Sequence, residues 1–98
     1  PLVPASGDRG RTGRIWLTVD GELRQEGDLA DQIWPVADVV AQLSASVVLQ
    51  PGDLIMTGPP AGVAVARKGA DGRRPWLRAG DVVEVEITGL GRQRNELV

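Results

Sequence analysis

Apolar and polar positions alternate from Arg14 to Val19, with Ile15, Leu17 and Val19 on one side, which is the period of a half-buried strand. Asp20-Gly21 follows, a pair suited to the two positive-φ positions of a type I′ turn, and it returns the chain through Glu22 to Glu26. The pattern predicts a hairpin whose charged return strand keeps at least one face in solvent. Near Pro35 the period changes from two to 3.6. Val36, Val39, Val40, Leu43 and Val47 then predict one amphipathic helix over about residues 35–46. Pro35 suits its first turn, and Asp38 near the N-terminal end agrees with the helix dipole. Trp34 precedes a proline and is therefore extended. Its indole is expected to staple the start of the helix to the sheet, as a core anchor.

Beyond the helix, Pro51 fixes φ, Gly52 accepts positive φ, and Asp53 closes the turn with its side chain. The pair Leu54-Ile55 then predicts a buried strand from Leu54 to Thr57. That strand runs directly into a bent loop, Thr57-Gly58-Pro59-Pro60-Ala61-Gly62-Val63, in which glycine permits close approach and the two prolines keep the loop open. A polar insert, Arg67 to Pro75, reads as mobile surface. From Leu77 a Gly80-Asp81 turn feeds a strand with Val83, Val85 and Ile87 on one side and Glu84 and Glu86 on the other. Gly89-Leu90-Gly91 turns into a final strand from about Gln93 to Val98. The likeness of Pro51-Gly52-Asp53-Leu54-Ile55 to Ala79-Gly80-Asp81-Val82-Val83 reads as turn chemistry common in barrels rather than as an internal repeat. Residues 1–13, with Gly7, Gly10 and Gly13, read as loop.

Together these elements predict an α+β, mostly β fold, and the 98 residues suffice for one small domain at most. With three tryptophans, no Phe and no Tyr, the core must come from Val, Leu, Ile and Ala. A net charge of −2 with interspersed signs disfavours a nucleic-acid partner or an anionic membrane. No run of about 18 apolar residues could span a bilayer. The absence of cysteine and histidine removes disulfides, thiolate metal sites and the commonest general base. Any chemistry must use carboxylates, hydroxyls, arginine or backbone amides. A start at Pro1 without an initiator Met leads to the expectation that the chain is the C-terminal piece of something longer.

Few residues compete as a chemical site. Asp28, Asp31 and Asp38 offer a conceivable hard-cation cluster, and Glu84 with Glu86 a conceivable E-x-E pair. The glutamates read better as the solvated side of an amphipathic strand. Arg73-Arg74 with Arg78 has the chemistry of an anion clamp, but in a glycine-rich loop it reads first as solubility. No nucleophile elbow, P-loop or dinucleotide fingerprint is present.

Four blocks in order carry a likeness: Ile15 to Gln25, Asp31 to Ala37, Leu49 to Gly58, and Gly80 to Gly91. Over nearly the whole chain the sequence resembles the fumarylacetoacetate hydrolase family, and within it the acylpyruvate and fumarylpyruvate hydrolases and hydroxyhepta-dienedioate isomerases. The resemblance implies that residues 1–98 are the C-terminal portion of one catalytic domain, part of a mixed β-roll or barrel. It implies a cytoplasmic homodimer that uses Mg²⁺ or Mn²⁺ in C–C bond hydrolysis or keto–enol isomerisation of 2,4-diketo acids in aromatic catabolism. The family's metal ligands, a Glu-x-Glu pair and an Asp, lie upstream of where this chain starts, as do its His-Glu dyad and lysine. No catalytic or metal residue is therefore assigned here, and Glu84-Val85-Glu86 matches a different block.

One functional segment does carry over. The family's Thr-Gly-Thr-Pro-Ala-Gly-Val-Gly loop, which helps hold the substrate carboxylate, matches Thr57-Gly58-Pro59-Pro60-Ala61-Gly62-Val63-Ala64. The resemblance thus implies substrate binding at Thr57 and Gly58. Pro59 replaces the second threonine and removes both a hydroxyl and an N–H. Losing one charge-assisted hydrogen bond costs about 1.5–3 kcal/mol, or roughly ten- to a hundredfold in affinity. The chain alone is expected to be inactive. The rival readings are a non-catalytic β-module for assembly and an inactive truncated remnant.

Overall fold

The computed structural model describes residues 2–4, 6–7 and 10–98; the loop expected at Pro1, Ala5, Asp8 and Arg9 lies outside them. Four antiparallel strands form one open sheet in the order β2-β1-β3-β4: β1 (Arg14–Val19), β2 (Glu22–Asp28), β3 (Val82–Ile87) and β4 (Gly91–Glu96). One helix, α1 (Val36–Ser46), lies between β2 and β3 in sequence. The α+β, mostly β expectation holds. Within the described residues the edges at β2 and β4 stay unpaired, so these strands alone close no roll.

The hairpin forms as its turn chemistry dictates. Asp20 and Gly21 take φ of 51° and 79°, and Asp20 is the only non-glycine residue with positive φ among the described residues. Its carboxylate also accepts the Val82 N–H at 2.9 Å, tying the turn to the start of β3. Ile15, Leu17 and Val19 register against Ile87, Val85 and Val83, which builds the apolar face. Trp16 and Thr18 register against Glu86 and Glu84 on the opposite face.

That second face is paired rather than simply solvated. Glu84 is only 23% exposed in its side chain, with Arg92 at 2.8 Å and Arg94 at 3.7 Å from the same carboxylate oxygen. Arg14 bonds Glu26 at 2.6 Å and lies 4.5 Å from the centre of the Trp16 ring. Unlike charges thus pair across strands on this face, although Arg14, Glu26, Arg92 and Arg94 stay about half exposed or more.

Three sequence expectations need correction. Leu54 to Thr57 forms no strand, and Leu54 and Met56 are 85% and 94% exposed rather than buried. A strand requires a neighbour, and no described segment supplies one. Trp34 is 69% exposed and staples nothing to the sheet, because α1 lies off it; extensive contacts between elements are confined to the strand pairs. The final strand is Gly91–Glu96, earlier than 93–98, because the turn is completed by the Leu90 N–H donating to the Ile87 carbonyl at 3.0 Å.

Val19, 7% exposed, is the one buried hydrophobic residue among the described residues, and no side chain among them is fully buried. The accessible surface is 7751 Å², against about 5,400 Å² for a free-standing domain of this mass. The radius of gyration is 15.8 Å, where about 13 Å is usual for this length. The sheet is ordered by its ladders and hairpin turns, while Val36, Val40 and Val47 of the helix stripe and the segment around Leu54 lie exposed.

Candidate functional site

The Gly- and Pro-bent loop is seated on β2. Between Leu17 and Thr18 the β1–β2 register shifts, so that Leu17 faces Gln25 while Thr18 faces Leu23. Arg24 is the extra residue of this bulge. Two parts of the loop converge on its carbonyl oxygen. Arg67 donates to it through a terminal guanidinium nitrogen at 2.8 Å, and Gly62, at φ 104°, lies so near that a Cβ there would collide with it.

A second seat lies two residues back along the loop. Pro60 rests on Gly27 of β2, where an added Cβ would come within 3.0 Å of the proline Cβ. A bare backbone at position 27 therefore gives the proline its place. After Gly62 the chain makes a single 3₁₀ turn, Ala64–Ala66, before Arg67 returns to Arg24.

With Pro60 and Gly62 fixed, Thr57 and Gly58 stand at the free end of the loop. Both are exposed, and an added Cβ on Gly58 would meet nothing within 4 Å. From Leu54 to Gly62 the backbone makes no hydrogen bond among the described residues, and the Thr57 hydroxyl has none either. Pro59 and Pro60 have no N–H to offer. The free donors at the bend are thus the Thr57 hydroxyl and the amides of Thr57 and Gly58. Such an arrangement can receive an anionic oxygen from outside the chain.

Upstream, the turn into this segment is closed by Asp53, whose carboxylate accepts the Gln50 N–H at 2.8 Å while its own N–H donates to the Gln50 carbonyl at 3.1 Å. Downstream, Asp81 does the same with Arg78, at 2.8 and 3.1 Å. Gly52 and Gly80 take φ of 99° and 90° within these turns. The two segments are therefore one turn built twice.

Among the described residues no three His, Cys, Asp or Glu side chains gather to hold a metal ion. Asp28 instead accepts the Ala30 N–H at 2.8 Å, capping a short 3₁₀ turn at Leu29–Asp31. Glu84 is occupied by Arg92 and Arg94. The described residues do not fit a divalent ion. No helix among them is long and apolar enough to cross a membrane.

Sequence reasoning singled out Thr57 and Gly58 but not the residues that seat them: Arg24, Gly27, Gly62 in its anchoring role, and Arg67. A signal for Gly27 existed, since an isolated glycine inside a strand marks close approach of another segment.

The family model described as fumarylacetoacetate (FAA) hydrolase, C-terminal, matches residues 1–98, and the chain belongs to this family. A Burkholderia multivorans protein is 43% identical over 79 residues, which cover 81% of this chain and 27% of that protein. Among solved structures, fumarylpyruvate hydrolase from Pseudomonas aeruginosa, in complex with Mn²⁺ and pyruvate, superposes with a TM-score of 0.73 at 39% identity. It covers 90% of this chain and 33% of its own. A probable 2-hydroxyhepta-2,4-diene-1,7-dioate isomerase from Mycobacterium abscessus gives a TM-score of 0.76 at 38% identity, over 88% of this chain and 31% of its own. The chain spans about a third or less of the length of these relatives.

Proposed function

We propose that these 98 residues are the carboxylate-binding side of a hydrolase or isomerase that acts on acylpyruvate-like 2,4-diketo acids, by C–C bond hydrolysis or keto–enol isomerisation. Family membership and relatives named for fumarylpyruvate hydrolysis and dienedioate isomerisation support this reading. The observation that carries it is the loop itself: seated on β2 at Pro60 and Gly62, it leaves the donors of Thr57 and Gly58 exposed and unpaired at its tip.

In this reading the Thr57 hydroxyl and the Gly58 amide donate to the substrate carboxylate. Pro59 and Pro60 restrict the backbone that follows these donors and the anchor at Arg24 holds the loop's far end, which leaves less chain freedom to lose on association. The role of this chain is to bind and orient. Any Mg²⁺ or Mn²⁺ used by the complete protein takes its ligands from polypeptide outside the described residues, among which no three carboxylates gather.

The complete protein is a cytoplasmic homodimer in this reading, with a small-molecule diketo acid as its partner and neither nucleic acid nor membrane. By themselves the 98 residues turn over no substrate. Steady-state kinetics of the complete protein on a series of acylpyruvates, with and without Thr57→Val, tests the proposal. A KM raised about ten- to a hundredfold with a smaller change in kcat is expected from the loss of one charge-assisted hydrogen bond. An unchanged KM, or a complete protein inert toward every 2,4-diketo acid, overturns it.

A further inference from the structure

The stretch from Arg67 to Arg78 is closed by its own hydrogen bonds. Gly69 N–H donates to the Arg73 carbonyl at 2.7 Å, Gly72 N–H to the Gly69 carbonyl at 2.9 Å, and Trp76 N–H to the Arg74 carbonyl at 2.9 Å. The Asp71 carboxylate accepts the Arg73 N–H at 3.0 Å. These bonds close turns within an insert that lies at the surface, as its composition suggested. It surrounds an open concavity of about 740 Å³, with Lys68, Arg73, Arg74, Arg78, Asp71 and Trp76 among its lining residues.

The charge of this concavity runs against that of the chain. Four cations face one carboxylate in a protein whose net charge is −2. None of the four has a carboxylate within ion-pairing distance among the described residues. Arg74 is fixed through Nε, which donates to the Val65 carbonyl at 2.9 Å, and its terminal nitrogens have no protein partner among them. Gathering like charges on a hydrogen-bonded loop costs repulsion, and a bound anion removes it. Arginine forks suit the oxygens of carboxylate and phosphate. Trp76, 59% exposed at the same concavity, adds an apolar surface.

We propose that the 67–78 loop binds a small multivalent oxyanion, a polycarboxylate or a polyphosphate, through Lys68, Arg73, Arg74 and Arg78, with Trp76 against its body. A long polyanion such as nucleic acid fits poorly. The cations occupy a single concavity rather than a stripe, and the rest of the chain carries a net negative charge that would repel such a backbone.

Calorimetric titration of the complete protein with inorganic pyrophosphate and with tricarballylate, against chloride at matched ionic strength, tests the proposal. Tighter binding of pyrophosphate identifies the phosphate class and tighter binding of tricarballylate the carboxylate class; either supports a built site. Arg73→Ala with Arg78→Ala is expected to weaken binding at least tenfold at an unchanged far-ultraviolet circular dichroism spectrum, and added salt to weaken it progressively. Binding of neither anion above chloride overturns the proposal. So does affinity that is indifferent to salt or to the double substitution. None of these outcomes depends on the reading at Thr57.

Discussion

Gly62 sets its bare α-carbon against the carbonyl oxygen of Arg24, and this contact joins the bent loop to the strand bulge on which it rests. Each residue requires the other's peculiarity. The bulge takes Arg24 out of one-to-one register, and the missing side chain at position 62 lets the loop come near enough to use it.

Gly62→Ala is therefore expected to lose about 1–3 kcal/mol from backbone strain alone, since φ is 104° and the new methyl meets main chain that cannot swing away. Denaturant unfolding of the complete protein checks this. A midpoint unchanged from the parent would show that the loop does not rest on β2.

Arg67→Ala removes the guanidinium bond to the same carbonyl. A partly buried bond to a charged donor contributes about 1.5–3 kcal/mol. Arg67→Lys should restore only part of the loss, because an ammonium does not reproduce the flat donor. Thermal unfolding of the two variants in parallel reads the difference.

Pro59→Thr returns to the bend the hydroxyl and N–H that proline lacks. If Thr57 and Gly58 hold a carboxylate, the added donors should lower KM about tenfold, corresponding to roughly 1.5 kcal/mol. The kinetic comparison needs only the complete protein and one acylpyruvate. A KM that stays fixed or rises would place the carboxylate elsewhere.

Asp53→Ala and Asp81→Ala should cost nearly the same, about 1 kcal/mol each, because each deletes one carboxylate-to-amide bond of 2.8 Å from the same kind of turn. Chemical denaturation measures both. Costs differing severalfold would mean that the shared turn geometry is not what stabilises the two segments.

Glu84→Gln keeps the shape of the side chain and removes the charge shared by Arg92 and Arg94. Exposed pairs contribute about 0.2–1 kcal/mol each, and the half-buried carboxylate places this pair of contacts toward the upper end. The loss should shrink in high salt. Stability measured at two ionic strengths separates the charge effect from packing.

The parts of the fold that were legible in the sequence are those decided locally. Asp20-Gly21 fixes a turn by its own backbone preference, and Val36 to Val47 announces a helix by spacing. What was not legible depends on a second body. Leu54-Ile55-Met56 has the composition of a strand but no described strand beside it, so it stays unpaired and exposed. Trp34 looks like an anchor, yet α1 has no packed face for it to anchor. The Gly-Asp turn chemistry is visible in the residues at both places, while the matching hydrogen bonds that close the two turns appear only in the structure.

At the candidate site the hydroxyl was legible and its support was not. Thr57 and Gly58 stand out by motif, whereas Arg24 is a charged residue in a charged strand, and nothing in its type shows that its carbonyl matters. A bulge shifts register by one residue without a unique sequence signature, so Arg24 could be found only once the register was known.

The Gly62–Arg24 seat is main chain on both sides, and that has an evolutionary consequence. Residues 57–59 can be exchanged one by one while the seat beneath them keeps its position, so drift at the tip re-tunes which molecules are accepted without rebuilding the scaffold. Pro59 then stands as an accepted trial of that kind, and the neighbouring positions are the first to randomise when seeking altered selectivity.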